Sequence, residues 1–414
     1  MVSNVTQMLV DLLGRRPGYG LDRRFFGDPG YHALDLEEVF YREWLFVGHS
    51  CEVAEPGSYV TLRIGEYPLV VVRGRDRLLR AFHNVCRHRG QQICTKPSGA
   101  SGRLVCPYHQ WSYDLDGRLV HARDMMGDLE PARFGLKPVA CAEIAGFVFL
   151  SLAEEPTDLG PLQAMIEPYM APHRLAEAKI AHRSTIVEKG NWKLVLENNR
   201  ECYHCRGTHP ELSRVYSDAP TLTGVEQVNE DGVVRAHWER CEALGLPSRF
   251  RMDGGGQYRV VRVPFLRDAA SMTLDGKPAV ARLLADFPTP VLGSMLLFHY
   301  PNSWNHLLAD HAISFRMLPL SPTETELTTT WLVHRDAVEG VDYELDRLTE
   351  VWRATNDQDR QIVEGNQTGI LSPAFEPGPY SRLHEGGALQ FIDWYAGLMA
   401  DRLHARTGAR AAVA

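Results

Sequence analysis

Two short pairs, Cys86-Arg-His88 and Cys106-Pro-Tyr-His109, stand seventeen residues apart, and all four of these Cys and His side chains are metal-ligand types. Each pair sets one thiol and one imidazole on what can be a single loop tip. Two such tips can grip a [2Fe–2S] cluster from opposite sides, Cys86 and Cys106 on one iron, His88 and His109 on the other. Imidazoles in place of two thiolates leave the cluster less negative and raise its reduction potential, which suits it to accept electrons. A zinc site of two cysteines and two histidines is the competing reading, but zinc fingers pair like ligands with like, and here each pair is mixed. Cys94, nearby, has no partner in the sequence and reads as a small buried apolar residue.

A second constellation is Glu201-Cys-Tyr-His204-Cys-Arg-Gly-Thr-His209. Glu201 and His204 have the spacing of neighbours on one helix face. Gly207 and Pro210 favour a helix end that lets His209 turn back toward the same point. Two histidines and one carboxylate make the facial triad of a non-haem Fe(II) oxygenase, which leaves positions open for O2 and substrate. The carboxylate is sought in Asn356-Asp357-Gln358-Asp359-Arg360-Gln361-Ile362-Val363-Glu364, where on the residues alone each acid reads as readily as solvated charge on a helix. Cys202 and Cys205 form a C-x2-C, a spacing used by redox and zinc sites, but with no second pair.

These ligands need elements to hold them. The 414 residues suffice for two or three domains. Residues 1–45 read as a helical lead-in, with Leu36, Val39, Phe40 and Trp44 at helical spacing. Residues 46–155 read as a small all-β domain, with short strands at Tyr59–Ile64, Leu69–Arg73, Leu79–Asn84, Leu104–Pro107, Ser112–Leu115, Arg118–His121 and Phe147–Leu152, and Asp116-Gly117 as a hairpin turn. Residues 156–414 read as α+β: a strand at Ala181–Glu188, a helix from Trp192, antiparallel strands at Ser294–Tyr300, His311–Leu318 and Glu326–His334, and a long helix over Val341–Asn366. The net charge of −8 argues against nucleic-acid binding. No signal peptide or membrane span is expected, so the location expected is cytoplasmic, with the eight cysteines as thiols or metal ligands and not disulfides.

Taken together, Cys86-x-His88…Cys106-x2-His109 and Glu201-x2-His204-x4-His209 resemble the α-subunit of Rieske non-haem iron oxygenases over nearly the whole chain. Gln91 and Tyr108 stand where respiratory Rieske proteins carry an extra disulfide pair, so the cluster resembles the lower-potential oxygenase type. The family's Asp-x4-Glu pattern matches Asp359…Glu364, and the resemblance thereby implies His204, His209 and Asp359 as iron ligands. It implies a helix-grip, START-like catalytic domain. It also implies that Glu201 bridges the two centres, touching a cluster histidine of the neighbouring subunit in a head-to-tail homotrimer.

Glutamate at 201, where most members have aspartate, is similar to the quaternary-amine branch. Trp192-Lys-Leu-Val-Leu-Glu-Asn-Asn-Arg-Glu-Cys-Tyr-His-Cys205, Ser303-Trp-Asn-His306 and Glu376-Pro-Gly-Pro-Tyr380 resemble glycine betaine and stachydrine (proline betaine) demethylases. The implied reaction is O2-dependent N-demethylation. A separate flavin/iron-sulfur reductase supplies electrons from NAD(P)H, which pass through His109 and Glu201. An N-methyl group is hydroxylated, and the product breaks down to formaldehyde and a tertiary amine. Alternatives are carbon hydroxylation of another small substrate, or carnitine- or choline-type oxygenation. Aromatic faces are suited to a quaternary ammonium. The candidates are Tyr203, Phe298, Tyr300 and Trp304, with Asn305 and His306 for a carboxylate and Asn198 near the iron.

Overall fold

The computed structural model describes residues 4–127, 129–219 and 227–408. The chain divides into two compact units. One comprises Phe40–Leu159 with Arg174–Lys179; the other comprises Met1–Val39, Gly160–His173 and Ile180–Ala414. The class is α+β.

The first unit is all-β. Among the described residues its larger sheet has seven strands, in the order Leu45–His49, Phe147–Ser151, Pro138–Ile144, Leu79–His83, Tyr67–Arg73, Ser58–Ile64 and Ser98–Ala100. Its smaller sheet has three, Leu104–Val105, Ser112–Tyr113 and Leu119–His121. The Asp116-Gly117 turn is present: Gly117 has φ 88° and donates to Asp114 O at 2.9 Å. Trp44 does not continue a helix; the helical lead-in ends by Phe40, and Trp44 immediately precedes the first strand. Its indole donates instead to Thr157 O at 2.8 Å.

Among the described residues, the second unit is built on a seven-stranded antiparallel sheet. Its order is Lys179–Glu188, Glu324–Val333, Ala312–Ser321, Ser303–Leu307, Ser294–His299, Tyr258–Val263 and Arg251–Met252. The register places Arg259, Phe298, Trp304, Phe315 and Thr329 in one row across it, and Leu296, His306, Ile313 and Trp331 in the next row on the same face. The helix Leu345–Ile370 lies on this face: Asn356 donates to Thr329 Oγ1 at 2.9 Å, and the Trp352 ring packs against His306 and Phe315 at 4.9 and 4.7 Å between centroids. This helix begins four residues later than the spacing suggests. The backbone at 340–343 is engaged in bonds such as Ala281 N to Asp342 O, 2.8 Å, that a helix would forbid.

One buried acid helps tie the amino-terminal helices to this second unit. Asp35, fully buried, accepts from Trp192 Nε1 at 2.9 Å and Tyr395 Oη at 2.6 Å and is ion-paired with the equally buried Lys193. Three donors on one carboxylate satisfy a charge that would otherwise be costly to bury.

Glu188, at the end of its strand, is buried without such help. Burial first, then the nearby charges of Asp359 and Glu364, push its pKa up to about 8 from the 4.5 of an exposed side chain. Between those values the folded protein keeps a proton that the unfolded chain has lost, so this group makes stability fall as pH rises through that window. Glu188→Gln is therefore expected to raise the melting temperature relative to wild type at about pH 8 and to leave it nearly unchanged at about pH 4, as read by thermal melts across pH.

Candidate functional site

The four candidate cluster residues sit on two loops of the first unit that close in the same way. Cys86 N donates to Gln91 O and Gly90 N to Cys86 O, at 2.8 and 3.0 Å; Cys106 N donates to Trp111 O and Gln110 N to Cys106 O, also at 2.8 and 3.0 Å. The fourth residue after each cysteine has a left-handed backbone, Gly90 at φ 78° and Gln110 at φ 61°. The loops thus present their ligands equivalently. Cys86 and Cys106 are buried, while His88 and His109 are half-exposed with ring centroids 4.7 Å apart. His88 stacks on Trp111, and Tyr113 Oη lies 3.4 Å from Cys86 Sγ. Two inner thiols and two outer imidazoles fit a [2Fe–2S] cluster ligated asymmetrically, and a hydroxyl on one sulfur is a recognised means of tuning its potential. Cys94 is buried in the same apolar cluster as Cys86 and Cys106, and burial pushes its thiol up to about 11, so it stays protonated.

The second constellation is assembled in the other unit. The helix Trp192–Asn199 is capped by the Asn191 side chain, which accepts from Lys193 N at 3.0 Å, and it ends before Glu201. Glu201 and His204 therefore share a turn, not a helix face, and the single helical turn Cys205–Thr208 carries the chain to His209. The turn still brings the two imidazoles together. His204 Nε2 and His209 Nε2 are 3.0 Å apart, and Asp359 Oδ1 is 3.3 and 3.0 Å from them. Three atoms bound about 2.1 Å from one ion at mutual right angles lie about 3 Å apart, so the three donors match one face of an octahedron. Asp357 is instead exposed and pairs with Arg360 at 3.1 Å, and Glu364 accepts from Lys189 N at 3.2 Å.

The far nitrogens of both histidines are held. Glu201 Oε1 lies 2.6 Å from His204 Nδ1, and Gln358 Oε1 lies 2.7 Å from His209 Nδ1. Gln358 in turn donates to Glu211 at 2.8 Å. Acceptors on Nδ1 fix the proton there and leave each Nε2 lone pair for a metal. Gln358 and Glu211 were invisible in the sequence because their partners come from distant segments. Replacing Gln358 with Leu is expected to weaken iron binding roughly 10- to 100-fold, as measured by metal titration, with the cluster content unchanged.

Cys205 Sγ also lies near His204 and His209. It is not the third donor, because Cys202 and Cys205 are joined as a disulfide, and the sulfur ligand of metals is the free thiolate. This corrects the expectation that all eight cysteines are thiols or metal ligands. The turn that carries His204 brings the two Cα atoms to 4.9 Å, inside the range a disulfide spans.

A cavity opens on the triad. Its wall includes Asn198, Glu201, His204, His209 and Asp359 together with Tyr216, Arg259, Leu296, Phe298, His306 and Trp352. Asn198, Phe298 and His306 are thus on the wall. Tyr203 is exposed and stacks on His384. Tyr300 packs against Phe391 and Trp394, Trp304 stacks on Phe315 beyond the wall, and Asn305 points through the opposite face of the sheet. Tyr216, Arg259 and Trp352 were not singled out in the sequence. Trp352 lies on the apolar stripe of a helix, and Arg259 looks out of place in the apolar strand Tyr258–Val263. Burial pushes His306 down to about 3, so its ring is neutral.

Residues 43–133 match the Rieske [2Fe-2S] domain, and residues 175–401 match the ring hydroxylating alpha subunit catalytic domain. The chain is 48% identical over 401 residues to the glycine betaine monooxygenase oxygenase subunit of Chromohalobacter salexigens, covering 95% of this chain and 89% of that one. It is 45% identical over 397 residues to the Pseudomonas aeruginosa protein of the same name, covering 95% and 92%. The fold resembles the quaternary ammonium Rieske monooxygenase CntA in complex with L-carnitine, with TM-score 0.71 and 20% identity over 94% of this chain and 98% of that one. With residues that fit a [2Fe–2S] cluster and a mononuclear iron, and with these matches along its length, the chain belongs to the Rieske non-haem iron oxygenases, as a ring-hydroxylating α-subunit.

Proposed function

We propose that this protein N-demethylates a small betaine of the glycine betaine or proline betaine type, releasing formaldehyde. The observation that carries the reading is the shared cavity: the three iron-ligand atoms, aromatic faces and a neutral imidazole line one space. When bound, the iron supplies O2 activation and the cluster supplies single electrons. The residues do the rest. Trp352 and Tyr216 offer π faces to a cation that has no N–H to donate. His306, neutral, does not repel that cation. Apolar Leu296 and the surrounding rings keep water from the methyl groups. Glu201 holds His204 in the tautomer that frees Nε2.

The two centres are proposed to work between subunits. Cys86, His88, Cys106 and His109 would hold the cluster, which would accept electrons from a separate flavin/iron-sulfur reductase. His109 and Glu201 would link the cluster to the neighbouring protomer's iron in a head-to-tail homotrimer, a reading that the half-exposure of both side chains supports. The names and identities of the relatives support the substrate class. A formaldehyde assay with iron-loaded protein and a reductase, run on glycine betaine, proline betaine and carnitine, tests the proposal. Release from a betaine is the expected result, and no release from any of the three overturns it.

A further inference from the structure

The cavity has a cationic end that demethylation itself does not require. Arg259 rises from the strand Tyr258–Val263 on the face that carries Phe298, and it is buried. Its Nε and Nη1 are buried and have no hydrogen-bond partner among the described residues. Arg200, 2% exposed, approaches the same ring: its guanidinium carbon is 4.2 Å from the Phe298 centroid, and that of Arg259 is 4.7 Å. Arg200 is held by Tyr300 Oη and, at 3.1 Å, by Gln390 Oε1, with its Nη1 left over. Neither guanidinium has a carboxylate partner among the described residues.

Two buried cations around one ring, with donors to spare, form an unbalanced arrangement. A buried charge is costly unless it is paired and hydrogen-bonded. Burial first, and then the charge of Arg200, lower Arg259 to about 9. That is still above neutrality, so the side chain stays charged and an anion would relieve it. Arg259 is also on the cavity wall, as are the iron-ligand residues. The wall is therefore polarised, with carboxylates Asp359 and Glu201 at the triad and guanidiniums near Phe298. A small zwitterion matches that polarity, its ammonium methyls toward the triad and its carboxylate toward the arginines.

Resting on the demethylase reading, we propose that Arg259, assisted by Arg200, binds the substrate carboxylate, selecting carboxylated quaternary amines and setting which end of the molecule meets the iron. Phe298, with guanidiniums over its ring, then belongs to the carboxylate end, and Trp352 and Tyr216 face the ammonium.

The test is binding, measured by titration calorimetry on the metal-loaded enzyme with two probes. Glycine betaine has the carboxylate; choline replaces it with an alcohol and keeps the trimethylammonium. Arg259→Gln is expected to weaken glycine betaine about 30-fold and choline less than about threefold, because only one probe uses a charge-assisted bond. Arg259→Lys, which keeps the charge and loses the fork, falls between. On the unaltered protein, acetate is expected to compete with glycine betaine but not with tetramethylammonium, which keeps the idea testable if the variants do not fold. Unchanged betaine affinity in Arg259→Gln, an equal loss for both probes, or no competition by acetate overturns the inference. Formaldehyde release by wild type is scored separately. Turnover of betaine with Arg259 irrelevant to binding sinks only this inference. Carboxylate selection through Arg259 with no formaldehyde sinks only the demethylation reading.

Discussion

Replacing Asp359 with Ala is expected to cut iron from about three to about two per chain, leave the cluster's visible spectrum intact, and reduce turnover below about one-thousandth of wild type. Asp359 Oδ1 is the only carboxylate oxygen recorded within hydrogen-bonding reach of both Nε2 atoms among the described residues, so its loss leaves two donors where three define the face of the site. Asp357→Ala is the control. That side chain pairs with Arg360 at the surface, and its removal is expected to change neither iron content nor rate. Metal analysis and formaldehyde assays on both variants check the pair. Equal iron in Asp359→Ala and wild type would place the third ligand elsewhere.

Glu201→Gln carries the second large effect. The amide oxygen can still accept from His204 Nδ1, so iron content should hold. The negative charge on the proposed path between centres is lost. The expected outcome is a roughly 10- to 100-fold slower turnover at normal iron and cluster content. Rapid mixing of pre-reduced enzyme with substrate and O2 is the check: cluster reoxidation slows in step with turnover if Glu201 serves electron transfer. Unchanged reoxidation at reduced turnover would assign Glu201 to holding His204 alone.

The proposed cluster residues were legible from spacing because both loops are local and their closing bonds lie within a few residues of them. The second site was legible in part. His204 and His209 came from a nine-residue stretch, although the expected helix face proved to be a turn. Asp359 was implied only by the resemblance. A physical signal for it did exist: it follows Leu348, Trp352 and Thr355 on the inward stripe of its helix and precedes Val363, whereas Asp357 falls off that stripe. Some elements were hidden for the reason that makes them functional. The strand Tyr258–Val263 carries Arg259 and Arg262, both buried, and these break the apolar pattern of a sheet strand. The strand Ser303–Leu307 sends Trp304 and His306 to one face and Asn305 to the other, so its polar residues look like a loop. Aromatic type alone could not tell wall from core: Trp304 and Tyr300 are buried beyond the cavity, while Trp352 lines it.

The reading of this protein as an N-demethylase is tested most directly by the product balance. Iron- and cluster-loaded protein with a reductase, O2 and glycine betaine is predicted to give one formaldehyde and one dimethylglycine for each betaine consumed, by derivatised formaldehyde assay and mass spectrometry of the amine. A product heavier than the substrate by one oxygen and retaining all three methyl groups would contradict it.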